Sequence, residues 1–166
     1  MACLIRKLTL TDFEDAYRIL LDVAAWLRTK GIKQWETPLP KPVYTAWLSQ
    51  GLCYGYFADG RLAAVFTIRT SDLAEWDMST AQPVNWLSTM AVSRSFAGQG
   101  IGTQILSWIL SHIEKPLFLD CFDDDDVLPQ FYRANGFREV KRKHLHGGPM
   151  VLMEAIVDLP TSTSSL

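Results

Sequence analysis

Three glycines stand at alternate positions in the segment "SFAGQGIGTQIL" (95–106), directly before an apolar stretch. A glycine inside a helix or strand costs about 0.5–1 kcal/mol relative to alanine, so Gly98, Gly100 and Gly102 need a reason. A glycine-rich turn between a strand and a helix exposes backbone N–H groups, and the helix N-terminus adds partial positive charge. The pattern therefore indicates an anion site suited to phosphate. The alternative is a tight turn that binds nothing.

Two common phosphate motifs do not fit this turn. The dinucleotide fingerprint has the spacing GxGxxG, whereas this chain has GxGxG, and the phosphate-loop motif GxxxxGK followed by Ser or Thr is absent. The chain also lacks the early first strand and the acidic residue that accompany the dinucleotide fingerprint. The phosphate ligand must therefore be of another kind.

The segment "MAVSRSFAGQGIGTQIL" (90–106) resembles the acetyl-CoA pyrophosphate motif of the GNAT superfamily of N-acetyltransferases, (Q/R)xxGxG/A, with Gly100 and Gly102 on its two small positions. A second segment, "FYRANGF" (131–137), resembles the family's FYxxxGF. Two motifs in the family's order are more specific than one, and the similarity in element order covers roughly residues 3–158. One departure is Ala97, where the family has Arg or Gln; Arg94 is a candidate to compensate for the missing phosphate contact.

The resemblance implies a cofactor site for acetyl-CoA. By that analogy, the backbone of Met90 and Val92 meets the pantetheine and the thioester carbonyl, and residues 98–103 bind the pyrophosphate. Many members have Asn at the position of Asp125, and an anionic side chain is less suited to contact CoA there. The cofactor-binding residues expected on this basis are Met90, Val92, Gly98, Gln99, Gly100, Ile101, Gly102, Thr103 and Asp125.

The resemblance also implies a reaction in which a primary amine attacks the thioester directly in a ternary complex. Such chemistry needs a base for the amine, N–H donors for the carbonyl and an acid for the departing thiolate. Tyr132 is the candidate acid, although it is also placed to be a core aromatic residue. Asp120 stands where some members have a Glu base. Its alternative role, a strand-end carboxylate with structural hydrogen bonds, is the favoured one.

The elements that must position these residues follow from periodicity and turn signals. The order βααβββαβαββ predicts an α/β protein with a mixed sheet that is antiparallel early, and the resemblance implies the GNAT-like acyl-CoA N-acyltransferase fold. Its central sheet is mixed and mostly antiparallel, with a splayed parallel pair (86–92 and 117–122), flanked by helices. Finer signals are a capping box from Thr11 to Glu14, a polar loop over 70–85 and a helix over 103–115.

Composition limits the function classes. The 166 residues are 48% apolar, carry a net charge of −2 and have a pI near 5.9, which predicts one domain over 1–160 with a disordered tail over 161–166. No basic stripe indicates nucleic-acid binding, and neither a signal peptide nor a membrane span is evident. Three cysteines without CxxC spacing favour reduced thiols in a cytoplasmic protein, and we expect no metal.

Other polar and aromatic residues carry two interpretations each. The run Asp123–Asp126 is either a helix start or, with Glu75 and Asp77, an attractor for a cationic amine. His144 and His146 are expected to be exposed strand residues, and Cys121 a buried apolar one. Most of the six tryptophans are expected in the core, with Trp35 and Trp76 as candidates for an acceptor pocket.

The sequence therefore predicts an acetyl-CoA-dependent N-acetyltransferase with an unidentified amine acceptor. A noncatalytic CoA-sensing or interaction domain of the same fold is the first alternative, because Ala97 and the missing clear base weaken the catalytic interpretation. A binder of another phosphorylated ligand is the second. Monomer and homodimer both stay open, since members of the family often dimerise.

Overall fold

The structure is a computed structural model that describes residues 1–35 and 38–157, so the predicted tail over 161–166 lies outside the described residues. The elements follow the predicted order. The strands are β1 (Cys3–Lys7), β2 (Cys53–Ala58), β3 (Arg61–Ser71), β4 (Val84–Val92), β5 (Leu117–Phe122), β6 (Phe137–Leu145) and β7 (Gly148–Ala155). The helices are α1 (Phe13–Thr29), α2 (Lys41–Ser49), α3 (Ile101–His112) and α4 (Val127–Ala134).

The seven strands form one sheet in the order β1-β2-β3-β4-β5-β7-β6. Every neighbouring pair is antiparallel except β4 and β5, which are joined through α3 and run parallel. The β2–β3 hairpin turns at Asp59 and Gly60, which both have positive φ, as the Asp-Gly signal predicts. The predicted mixed sheet with one parallel pair is confirmed.

The helices cover both faces of the sheet because neighbouring strand residues point in opposite directions. Helices α1 and α2 pack on the face that presents Val65 and Ala91. Helix α3 packs on the opposite face, which presents Phe66 and Leu119. The buried residues of α1 recur at the three- and four-residue spacing that the sequence indicates. They are Ala16, Tyr17, Ile19, Leu20, Val23, Ala24 and Leu27.

Helix α1 begins differently from the prediction. The capping box expected from Thr11 to Glu14 lies two residues earlier, where the Thr9 N–H donates to Asp12 Oδ2 at 2.8 Å. A short 3-10 turn over Leu10–Asp12 precedes the helix, and the Asp12 carboxylate also accepts two hydrogen bonds from Arg6. The pairing with Arg6 on β1 is a tertiary contact, which explains why a local pattern misplaced the cap.

The predicted polar loop over 70–85 is largely structured. Strand β3 continues to Ser71, β4 already begins at Val84, and the connection buries Leu73 and Trp76 in a third apolar cluster with Trp86. The connection therefore forms a wall over the α1 and α2 side of the sheet. No helix within residues 1–35 and 38–157 is both long and apolar enough to cross a membrane.

Candidate functional site

The strands β4 and β5 separate soon after they begin to pair. Their parallel ladder contains only two residue pairs, Asn85–Leu117 and Trp86–Phe118. Ser93 donates its N–H to Ala63 O on β3 at 2.8 Å, so alternation along β4 turns the N–H group of Val92 away from β3, toward the gap that β5 leaves open. Met90 lines the cavity at the same gap.

A β-bulge bends β4 at the same place. The register of β4 with β3 shifts between Val65, opposite Ala91, and Thr67, opposite Ser88, so that β4 has an additional residue here. Thr89 lies in the bulge with φ 49°, a left-handed conformation that is uncommon outside glycine, and its hydroxyl lies 2.6 Å from that of Thr67. The sequence "WLSTMAV" gives no signal of this bulge, because Thr is otherwise a good strand residue.

The glycine turn follows the end of β4, and each glycine has an identifiable reason. Gly98 and Gly100 have φ values of 76° and 75° and face open space, since an added Cβ would have no neighbour within 4 Å. Gly102 lies within the first turn of α3, which begins at Ile101, two residues before the predicted start, and a Cβ at Gly102 would meet Phe131 Cζ at 3.1 Å. Two glycines therefore serve the turn, and the third serves helix packing.

The N-terminus of α3 leaves backbone donors without a helical partner. Gln104 donates to Gly100 O at 3.1 Å as the first bond of the helix, so the N–H groups of Ile101, Gly102 and Thr103 precede the helical ladder. Gly98, Gln99 and Gly100 are exposed, whereas the Ile101 side chain is buried and anchors the turn. The geometry is that of an accessible anion site at a helix N-terminus.

A cavity of about 730 Å³ extends from the gap between β4 and β5 over the α1 and α2 side of the sheet. It brings together Met90, Val92, Asp120 and Tyr132 from three separate elements. The residues 98–103 and Asp125 do not line it. Asp125 is exposed on the connection before α4.

Tyr132 lies on α4 and is half-buried, with its ring edge-on to Phe131 at 5.4 Å and to Phe137 at 5.9 Å. Burial raises the pKa of its hydroxyl well above the ordinary value, with smaller contributions from nearby Cys121 and Asp120. The hydroxyl is therefore protonated at neutral pH. The ring contacts agree with the packing role, and the position on the cavity wall agrees with the acid role.

Asp120 lies on β5 and accepts a hydrogen bond from Trp76 Nε1 at 3.2 Å. Burial raises the pKa of its carboxyl, and this hydrogen bond opposes the effect in part. The bond expected of a structural role is thus present, while the carboxylate also lines the cavity. A raised pKa brings a carboxylate closer to the range in which it can exchange a proton with an amine.

The acidic residues near the site are mostly paired with cations. Asp123 forms an ion pair with Arg142, and Asp126 with Arg133. Asp77 pairs with Lys143 at 2.9 Å. The run Asp123–Asp126 does lie at the start of α4, as the first interpretation expects, and its pairing reduces the charge that it would offer to a cationic amine.

Glu75 and His146 form another pair, with His146 Nε2 2.8 Å from Glu75 Oε1. Both residues line the cavity. His144 and His146 are exposed, as predicted, but His146 lies in the turn after β6 rather than in the strand and contacts the loop opposite. Cys121 is buried, as predicted, and burial raises the pKa of its thiol to about 12. Within the described ranges, no group of three His, Cys, Asp or Glu residues is arranged to hold a metal.

The cavity walls contain more aromatic residues than the sequence reasoning predicted. Trp35 and Trp76 line it as expected, and Trp26, Trp47 and Trp86 do so as well. The sequence did not single out these three residues because they lie in α1, α2 and β4, where their helical or strand spacing is also that of ordinary core residues.

Two arginines also contribute to the cavity walls. Arg94, the candidate phosphate ligand, is exposed at the edge with its guanidinium 3.6 Å from the centre of the Trp26 ring. Arg69 is half-buried, and the sequence reasoning did not select it, since a single Arg in a strand has no local signature.

Known proteins resemble this chain over most of its length. A family model described as acetyltransferase (GNAT) family matches residues 20–137. A Bacillus subtilis protein named uncharacterized N-acetyltransferase YesJ is 33% identical over 138 residues, which are 76% of each chain.

Solved structures agree with the fold. A GNAT-family acetyltransferase from Streptococcus agalactiae superposes with a TM-score of 0.82 at 15% identity, covering 95% of this chain and 96% of that one. Arabidopsis thaliana NAA60, solved in complex with acetyl-CoA, superposes with a TM-score of 0.71 at 13% identity, covering 94% of this chain and all (100%) of that one. With the parallel strands that separate ahead of the glycine turn, these matches lead to one conclusion: the chain belongs to the GNAT family of acetyltransferases.

Proposed function

We propose that this chain transfers the acetyl group of acetyl-CoA to a primary amine in a ternary complex. The observation that carries the proposal is the opening between β4 and β5, where Met90 and Val92 line a cavity beside a glycine turn and the N–H group of Val92 is turned away from β3. The B. subtilis relative is named an N-acetyltransferase, and the Arabidopsis neighbour binds acetyl-CoA. Both names support the choice of donor.

The donor fits the groups present. The N–H groups of Ile101, Gly102 and Thr103 would hold the pyrophosphate, aided by the open space at Gly98 and Gly100. The strand-like amides of pantetheine would pair with the unpaired edge of β4 at Met90 and Val92. The same edge would leave one N–H to hold the thioester carbonyl and stabilise its developing charge.

Two side chains of this protein, Asp120 and Tyr132, would assist the acetyl transfer. The amine nitrogen forms a bond to the thioester carbon, the C–S bond breaks, and the proton released by the nitrogen passes to the Asp120 carboxylate, directly or through water. The Tyr132 hydroxyl donates a hydrogen bond to the departing sulfur. Because the pKa of Tyr132 is raised, full proton transfer to a thiolate is uphill, and the hydrogen bond stabilises the developing charge instead.

Binding and turnover test the proposal separately. A ligand that binds only the folded chain raises its stability, by about 2.7 kcal/mol at a hundredfold excess over Kd. We expect millimolar acetyl-CoA to raise Tm, and we expect release of CoA, followed with a thiol reagent, when a panel of primary amines is added.

Each alternative has its own outcome. Binding without turnover on any amine favours the noncatalytic CoA-binding domain. Displacement of acetyl-CoA by nucleotides at equal concentration favours a binder of another phosphorylated ligand. An unchanged Tm contradicts the donor site altogether.

A further inference from the structure

We propose that the acceptor is an amine that also carries a carboxylate, of the amino-acid type, and that Arg69 binds this carboxylate. The inference rests on the proposed function, because it names the acceptor of the same cavity. It comes from the positions of a cation, Arg69, and an anion, Asp120, which line the cavity from the same face of the sheet, two strands apart.

Arg69 is held in place by contacts in which no carboxylate of residues 1–35 and 38–157 takes part. Its Nε donates to Ser88 Oγ at 3.3 Å, and its guanidinium lies over the Trp47 ring at 4.7 Å from the centre. These contacts use one N–H and one face of the guanidinium. No described residue accepts a hydrogen bond from the four N–H groups on the terminal nitrogens, which have the fork geometry that matches a carboxylate.

The charge of Arg69 is only weakly compensated. Burial lowers the pKa of its guanidinium, and among the described residues Asp120 is the anion that opposes this effect, through space rather than by a hydrogen bond. Four exposed arginines differ, because Arg6, Arg133, Arg138 and Arg142 each contact a carboxylate. A half-buried cation without a partner gains from an anionic ligand, since both the charge and its hydrogen bonds are then satisfied.

Arg69 and Asp120 face the same side of the sheet. Arg69 on β3 is paired with Trp86 on β4, which is paired with Phe118 on β5, so these three side chains share a face. Asp120 lies two residues after Phe118 and therefore shares it too. A cation and an anion thus stand two strands apart, on either side of Trp86. The strands β3 and β5 are roughly 10 Å apart at the Trp86–Phe118 pair, and Asp120 lies two residues farther along β5.

This arrangement is complementary to a zwitterion. A carboxylate at Arg69 directs the amine of a small amino acid toward Asp120, at the side of the cavity where Met90 and Tyr132 lie. The indole rings of Trp35 and Trp76 form the surrounding wall. These rings favour an apolar or aromatic hydrocarbon part over a charged one.

The test compares matched acceptors. Amino acids with apolar or aromatic side chains, with the amine in the α or the ω position, are each assayed beside their carboxamides. Loss of a charge-assisted hydrogen bond predicts a kcat/KM for the acid that exceeds that of its amide by about ten- to a hundredfold. Equal values for acid and amide throughout the panel contradict the proposal.

The variant Arg69→Gln shows whether Arg69 causes the preference. We expect it to lower the ratio of kcat/KM for the acid to kcat/KM for its amide to about one, while the Tm rise with acetyl-CoA persists. Arg94→Gln is the control, because Arg94 also stacks on a tryptophan at the cavity but lies exposed at its edge. A preference that survives in Arg69→Gln, or that is lost equally in Arg94→Gln, overturns the assignment.

A direct binding measurement keeps this inference separate from the proposed function. Ligand-observed NMR with the same acids and amides, in the absence of acetyl-CoA, reports on Arg69 even if no acetyl transfer occurs. Binding of an acid to wild type but not to Arg69→Gln supports the carboxylate site. Absence of binding to wild type, together with turnover of amines that lack a carboxylate, rejects the site and leaves acetyl transfer standing.

Discussion

The indole Nε1 of Trp76 donates a hydrogen bond to the Asp120 carboxylate over 3.2 Å, although the two residues are separated by 44 positions in the chain. The bond joins the connection between β3 and β4 to the middle of β5, at one end of the cavity. It fixes the orientation of a carboxylate whose pKa is raised by burial. The first two predictions follow from this relationship.

Asp120→Asn tests the base role. The amide has nearly the same shape and still accepts from Trp76 through its oxygen, but it cannot take a proton from the amine. We expect kcat to fall by about 10²–10⁴-fold, with acetyl-CoA affinity by calorimetry within a factor of two or so of wild type. A kcat within a few-fold of wild type would leave Asp120 with only its structural hydrogen bond.

The same substitution has a predictable effect on stability. Because the folded pKa of Asp120 is raised, the wild-type chain loses stability as pH rises through that pKa, whereas the neutral amide does not. We expect Asp120→Asn to be the more stable protein at pH 7.5 and equal to wild type below about pH 3, where aspartate is protonated in both states. Urea unfolding at both pH values measures this difference, and a variant less stable at pH 7.5 contradicts it.

Tyr132→Phe tests the hydrogen bond to sulfur. The ring contacts with Phe131 and Phe137 are kept, so the free energy of unfolding should change little. We expect kcat to fall by about 10²–10⁴-fold without loss of acetyl-CoA binding. Since burial keeps the wild-type hydroxyl protonated, wild-type kcat should not decline between pH 7 and pH 9 on its account. Loss of binding together with turnover would instead indicate a positioning or structural role.

Gly100→Ala tests the glycine turn. An alanine at φ 75° costs about 1–2 kcal/mol in any context, so lower stability alone proves nothing about the ligand. Gly60→Ala is the matched control, because Gly60 has φ 78° and equally open surroundings in the β2–β3 hairpin. We expect both variants to lose similar stability in urea, but only Gly100→Ala to lose most of the Tm rise with acetyl-CoA. Equal rises in the two variants would place the ligand elsewhere.

Asp12→Asn tests the contact that displaces the predicted helix cap. The Arg6 guanidinium lowers the pKa of Asp12. The contact therefore stabilises the fold at pH values above the ordinary carboxyl pKa, and this stabilisation is lost as the pH falls through the lowered pKa of Asp12. Because Arg6 is exposed and Asp12 half-buried, we expect a loss of only about 0.5–1 kcal/mol at pH 7 and a smaller one at pH 2. Asp15→Asn is the control, since its pair with Arg18 at 3.8 Å is more exposed and should contribute almost nothing. Equal unfolding free energies for Asp12→Asn and wild type at pH 7 would contradict the prediction.

The sequence alone determined the features that depend on neighbours along the chain. The strand β5, the hairpin at Asp59 and Gly60 and the buried side of α1 follow from periodicity and turn chemistry. The glycine turn before α3 was readable for the same reason, because a positive φ at Gly98 and Gly100 is a local requirement.

Only the tertiary structure decided how distant groups meet. The bulge at Thr89 arises from register with β3, and the packing of Gly102 against Phe131 joins α3 to α4. Arg69 reaches a cavity with Asp120 because two strand pairings give them the same face, and each position alone reads as an ordinary strand residue. Catalytic and binding geometry is set by such pairings between separate elements, and residue spacing within one element carries no information about them.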